Sequence, residues 1–438
     1  MNNSTKKKLL GLLLSLCIAA NLPVIASADG VSASVTLDGK TLTVKGYDSP
    51  AYSVNTNAEQ LDDKGNKFTA VTQTVGGDAS NWNARLIWHS GEAVPTLYLK
   101  NFIVDAYNEL TSQWKKSNTA AITIPAGQPT RIVITSGNSQ LKTRFGITYK
   151  SNLEIKSEGS AKLSIWNRSS AITSDSATGC ALTLDANLDL FVQSYHDASS
   201  HILQTNQADL TVNGGNIKIY TDDEKSLFGI VTRSSGNIII SGGNLDVTSS
   251  IGVAPANGTI QSSGKLIISG GTIKATAKAA TALYAKNGIE INGGLIDILS
   301  PYYGINAGTP DSPADIAIHG GTLKISAQRA FFTHPVLGEG VFAYAGADEA
   351  SAKAYDSTPM AKDPWMLISS DPQLLRTEPT TAPTTSTAAP TEAATAPTTQ
   401  APNRGIDPRI ILWVAPAGVI GLLGLLTTLI IFKFKKHN

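Results

Sequence analysis

Cysteine is nearly missing from this chain. Two occur in 438 residues, and Cys17 falls inside an N-terminal leader, so a mature body would keep Cys180 alone. One thiol can form no internal disulfide and cannot assemble a cysteine-based zinc site. A buried, inert role suits it. Charged residues are also scarce, and the net charge of +1 hides their distribution. Lys6, Lys7, Lys8, Arg409, Lys433, Lys435 and Lys436 crowd the two ends, where no acidic residue occurs. Without those seven, 28 basic residues face 34 acidic ones, so residues 29–408 carry about −6. Such a body lacks the basic face that displaces counterions from phosphates, which argues against a nucleic-acid partner. No Leu-Pro-x-Thr-Gly pentapeptide precedes the last apolar run, so wall attachment by a sortase is not supported.

The ends are informative for what they contain. Residues 1–28 have the parts of an export signal: Lys6–Lys8, an apolar run Leu9–Ala20, and the small-residue site Ala26-Ser27-Ala28 before Asp29. Ile410–Phe432 is a stretch without a charge. As a helix it would span roughly 34 Å, enough for a hydrocarbon core of about 30 Å. Trp413 suits an interface, and Lys433, Lys435 and Lys436 mark a cytoplasmic tail, residues 433–438. Residues 377–409 are dominated by Thr, Pro and Ala, with no period and little to bury, which predicts a disordered stalk. The expected location is therefore the cell membrane, with a single pass at residues 410–432 and the body outside.

Self-similarity dominates the middle. Gly-Gly pairs begin at Gly214, Gly242, Gly270, Gly293 and Gly320, in steps of 28, 28, 23 and 27 residues. Four and two residues before them stand Leu210/Val212, Ile238/Ile240, Leu266/Ile268, Ile289/Ile291 and Ile316/Ile318. Three and five after stand Ile217/Ile219, Leu245/Val247, Ile273/Ala275, Ile296/Ile298 and Leu323/Ile325. Ala275 is the one member of these columns that is not Ile, Leu or Val. Period-two alternation on both sides of a diglycine reads as two short strands joined by a tight bend. A third strand per repeat is hinted at by Phe228–Val231, Ile251–Val253, Ala282–Tyr284 and Tyr303–Asn306. Three strands in some 23–28 residues make one coil of a right-handed parallel β-helix, an all-β solenoid. Less regular copies at Thr96–Leu99, Ala121–Ile124, Phe145–Ile155, Ala161–Ile165 and Ala181–Leu184 extend it. The expectation is eight or nine coils from about 96 to 328, within a solenoid of residues 96–330. An N-terminal cap at 29–95, opened by an Asp38-Gly39 hairpin, and a C-terminal cap at 331–376 would cover the ends.

The Ile-x-Ile-x-Gly-Gly-x-Ile-x-Ile grammar, the leader and the Thr/Pro stalk resemble bacterial cell-surface β-helix proteins known as carbohydrate-binding domain-containing proteins. The likeness covers about residues 95–345 and specifies the fold better than the ligand. In that family a coil often carries an Asp-Gly-Ile step whose acidic side chains can serve calcium. Here those places read Phe228-Gly229-Ile230, Ile251-Gly252-Val253 and Tyr303-Gly304-Ile305, so calcium is not carried over. No cofactor is expected.

Catalytic constellations are thin. β-Helix glycosidases need paired carboxyl groups across the scissile bond. Asp222-Asp223 is the one plausible pair in the repeats, and it sits in a solvated turn. His319 precedes a diglycine in a column otherwise filled by Asn213, Ser241, Ser269 and Asn292, which marks it as a bend residue. His196-Asp197 with His201 would make a small metal or acid–base group. Sugar binding asks for less: aromatic rings on a rigid face with polar groups beside them. Tyr149, Trp166, Tyr195, Tyr284, Tyr302 and Tyr303 are the candidate rings. Lys142, Arg144, Lys150, Lys156, Lys162 and Arg168 form a basic strip against only Glu154 and Glu158. On one face these would suit an anionic polysaccharide; spread over several faces they would only solubilise. The expected partner is an extracellular polysaccharide or surface glycan, held by a monomeric body without catalysis. A β-helix polysaccharide lyase or glycoside hydrolase, and a surface spacer without ligand, are the alternatives.

Overall fold

Alternation turns every second side chain toward one surface of a short strand, and the diglycine bend lets two such strands meet at a corner. In the computed structural model these corners wind the chain into a parallel β-solenoid of about seven turns, with no helix among the described residues. Described are residues 31–61, 65, 67–108, 113–114, 120–175, 179–194, 201–221, 228–250, 257–355 and 363–373. The expected leader, stalk, membrane span and tail lie outside them. Among the described residues no helix is long and apolar enough to cross a membrane.

Three faces result. Face A carries the strands before each diglycine, including Ile238–Ile240, Leu266–Ile268 and Ile289–Ile291. Face B carries those after it, such as Asn244–Ser249, Thr272–Ala277 and the first half of Leu295–Thr309. Face C carries the third strand of each coil, such as Phe228–Arg233, Gly258–Ser262 and Thr281–Ala285. Strands on a face pair in parallel register: Val212 with Ile240, Ile240 with Ile268, Ile268 with Ile291. Rungs repeat at ~4.8 Å, so these side chains form a continuous internal ladder, fully buried. Leu245, Ile273 and Ile296 do the same on face B. Ala275 keeps its place between Val247 and Ile298.

Full windings run from Ala120–Ile124 on face C to the first half of Leu295–Thr309 on face B. These are fewer than the eight or nine coils expected from about 96 to 328, because at both ends the strands pair with antiparallel cap strands and do not complete a turn. One third strand also moves. Ile251–Val253 lies outside the described residues, and the face C strand of that coil is Gly258–Ser262, with Ile260 between Ile230 and Leu283. Aliphatic residues around a glycine mimic the pattern of Phe228–Val231, but inward register selects Ile260.

Antiparallel strands close the open edges. Ser32–Leu37 pairs with face C at Ala120–Ile124, Ala84–Ile87 with face A at Thr96–Lys100, and Lys67–Val75 meets face B at Ile103–Asp105. At the other end Trp365–Ser369 lies along Thr322–Phe331. Ser32–Leu37 and Lys40–Lys45 are joined through Asp38 and Gly39, both at positive φ, as a two-residue hairpin of primed type requires.

Side chains tie the corners between faces C and A. Thr205 Oγ1 donates to the Ala208 carbonyl at 2.7 Å and Ser262 Oγ to that of Lys265 at 2.8 Å. The Asn237 side chain accepts the Lys265 N–H from the next coil at 2.8 Å. At the diglycine corner the second residue takes positive φ, +90° at Gly271, and a Cβ there would come within 2.8 Å of the Gly242 backbone. Gly39 has a similar φ of +79° with nothing within 4 Å. Gly39→Ala is therefore expected to cost about 1 kcal/mol from backbone strain. Gly271→Ala should cost a further ~1–3 kcal/mol, because the coil beneath must shift. Urea-unfolding midpoints of the two variants decide it; equal losses would show that coil-to-coil contact imposes nothing there.

Candidate carbohydrate-binding face

Face B turns a continuous set of side chains outward on the irregular coils before the regular repeats. Register places Lys142, Trp166, Gln193 and Tyr220 in one outward column and Ser164, Phe191 and Lys218 in the next. The inward neighbours Leu163, Ile165, Leu190, Val192, Ile217 and Ile219 are fully buried, and their packing sets where the outward residues stand. Trp166 and Tyr220 lie two rungs apart, about 9.6 Å. Phe191 fills the interval from the adjacent column, with ring centroids 5.9 Å from Trp166 and 6.1 Å from Tyr220. All three rings are half-exposed. The result is a diagonal aromatic stripe across three successive coils.

Polar groups border the stripe. Lys142 Nζ stands 5.8 Å from the Trp166 ring centre and Lys162 Nζ 5.7 Å from that of Phe191. Lys142 also pairs with Asp105 at 3.1 Å. Tyr220 donates its hydroxyl to Asp246 at 3.0 Å. Burial, reinforced by the Asp246 carboxylate, raises the Tyr220 hydroxyl above its ordinary range, so it stays a donor at neutral pH and its ring stays oriented. Aromatic faces are electron-rich and attract the polarised C–H edges of a pyranose. Flanking ammonium and amide groups can then bond to its hydroxyls.

The other candidate rings are placed differently. Tyr149 is fully buried inside the solenoid and donates its hydroxyl to the Gln204 carbonyl at 3.0 Å. Burial raises that hydroxyl well above its usual value, so Tyr149 packs the core and offers no ring to a surface ligand. Alternation along Phe145–Tyr149 puts it in register with Ile124 and Ser174, on the inward side. Tyr284 and Tyr303 are buried too, at 5 % and 8 % exposure. Tyr302 is half-exposed and meets Tyr303 edge-on at 4.3 Å, with Phe332 beyond at 5.0 Å. Tyr195 lies outside the described residues, as do His196, Asp197, Asp222 and Asp223.

The basic strip divides among the faces. Lys142 and Lys162 point out of face B, while Lys156 points out of face A. Lys150 follows a face C strand and pairs with Asp175 at 3.2 Å. Arg144 and Arg168 stand at corners between faces B and C, Arg144 over the Phe145 ring at 5.6 Å. Three strands per coil send neighbours in sequence to different sides. His319 sits at its bend, its N–H bonded to the Ile291 carbonyl at 2.7 Å. His201 opens a face C strand, stacked on Phe228 at 4.6 Å and with Arg233 Nη2 3.1 Å from its ring. Among the described residues no group of three or more His, Cys, Asp or Glu is arranged to hold a metal.

Phe191, Gln193 and Tyr220 were not singled out from sequence. Their signal was present: each alternates with a core residue in Asp189–Ser194 or Asn216–Thr221. Only the register brings them beside Trp166.

A three-faced solenoid with a solvent-facing aromatic stripe has the form of a carbohydrate-binding protein. In agreement, a family model described as a carbohydrate-binding domain-containing protein matches residues 234–337. That span covers the regular coils, and the stripe lies on the coils just before it. No curated protein and no solved structure matches the chain.

Proposed function

We propose that this protein is a non-catalytic carbohydrate-binding surface protein, with face B of its solenoid as the binding platform. The observation that carries this is the contiguous run Trp166–Phe191–Tyr220, half-exposed and held by strands hydrogen-bonded on both sides. A rigid aromatic platform loses little freedom when a glycan settles on it. Right-handed winding follows from the strong preference of parallel crossovers for that hand. The leader and the apolar run 410–432 would export the body and anchor it, with 377–409 as spacer.

A glycan array probed with the full chain tests the reading. Binding to at least one polysaccharide is expected, and Trp166→Ala should weaken it about tenfold, near 1.4 kcal/mol. Unchanged binding in that variant would remove face B from the proposal. Release of reducing or unsaturated sugars from a bound polymer would favour the enzyme reading. An array with no bound glycan would favour a spacer.

A further inference from the structure

A second cluster lies where the N-terminal strands extend face A. Arg85 stands in register between Tyr52 and Tyr98. Its guanidinium lies 4.6 Å from the Tyr98 ring centre and 5.1 Å from that of Trp82. Lys100 Nζ approaches the same Trp82 ring at 5.7 Å. Further along the row, Tyr98 pairs with Val133 and Val133 with Lys156, which puts Lys156 about two rungs away.

The charges here are unbalanced. Among the described residues Arg85, Lys100 and Lys156 have no ion-pair partner, and Arg85 Nε is buried without a hydrogen bond. Carboxylates on neighbouring segments have other partners: Glu92 and Glu154 pair with Arg131 at 3.3 and 2.9 Å, Asp48 lies 3.4 Å from His89, and Asp78 accepts the Ser80 and Asn81 N–H groups. Arg85 Nε itself has no open surface, so the donors a ligand can reach are the terminal Nη1 and Nη2, which carry no hydrogen bond among the described residues. Arginine's planar fork matches a carboxylate through two parallel N–H···O bonds. The flanking rings hold the fork flat and offer a surface for the sugar ring that bears the carboxylate.

We propose that Arg85, with Trp82, Tyr98 and Lys100, forms a second subsite that takes the carboxylate of an acidic sugar, a uronate unit of a polysaccharide. This rests on the carbohydrate-binding reading but uses a different face and a different ligand chemistry from the aromatic stripe. Of the six basic residues of the strip, Lys156 alone shares this face, two rungs from Tyr98 and three from Arg85.

Binding of the full chain to polygalacturonate and to the same polymer with its carboxyl groups reduced provides the test. The native chain should prefer the acidic polymer. Arg85→Gln, which keeps the aliphatic stem against the rings, should lose about tenfold in affinity for it with the reduced polymer unaffected. Arg85→Lys should fall between, since it keeps the charge without the fork. Thermal unfolding of both variants at the native temperature confirms that they are folded. Equal affinity of Arg85→Gln and the native chain for polygalacturonate overturns the subsite, as does a native chain that binds both polymers equally or neither. Trp166→Ala separates the two proposals: it should reduce binding to both polymers alike and leave the Arg85-dependent ratio intact.

Discussion

Ile268→Ala is expected to destabilise the solenoid by about 2–5 kcal/mol. Ile268 is fully buried, with Ile240 below and Ile291 above in register. Truncation removes apolar area and opens a gap that neighbouring rungs cannot close easily. Their backbones are pinned by hydrogen bonds, from Ser269 N–H to the Ile240 carbonyl at 2.8 Å and from Asn292 N–H to the Ile268 carbonyl at 2.7 Å. The adjacent Ile267 points outward and is half-exposed, so Ile267→Ala should cost much less. Urea unfolding with midpoints compared at constant slope measures both. A loss at Ile268 no larger than at Ile267 would contradict the assignment of inner and outer faces.

Acid should weaken the fold through His201. An unfolded imidazole takes a proton below about 6.5, whereas burial and then the Arg233 charge hold His201 down to about 4. The unfolded chain therefore binds a proton first as pH falls. The His201 contribution is fully present above pH 6.5 and is lost between there and about 4. That window corresponds to about 3 kcal/mol. His201→Leu keeps an apolar side chain against Phe228 and has nothing to titrate. Unfolding free energies measured at pH 7 and pH 4 should diverge less for the variant by about that amount. Parallel pH profiles for the two chains would show that His201 titrates as if exposed.

Much of this architecture is legible in the residues alone. The columns around Gly214, Gly242, Gly270, Gly293 and Gly320 identify strands, bend and inward face, because a period of two admits one buried side per strand. Face C was less legible. Its strands follow corners of variable length, so Gly258–Ser262 was displaced from the place where Ile251–Val253 suggested it. The binding face was legible only in part. Trp166, Lys142 and Lys162 were candidates, but so was Tyr149, whose ring is inside. Composition marks a tyrosine as able to stack on a sugar; its parity within Phe145–Tyr149 decides whether it can reach one.

From the chain alone came the solenoid, its diglycine corners and its aliphatic interior, since these depend on local alternation repeated at a nearly constant step. Tertiary structure decided which residues become neighbours across coils. Phe191 joins Trp166 and Tyr220, and Arg85 comes between Tyr52 and Tyr98, through pairing between strands about 13 to 33 residues apart in sequence. Hydrogen-bond register along a coil axis sets such distances, and no local pattern of residues encodes it.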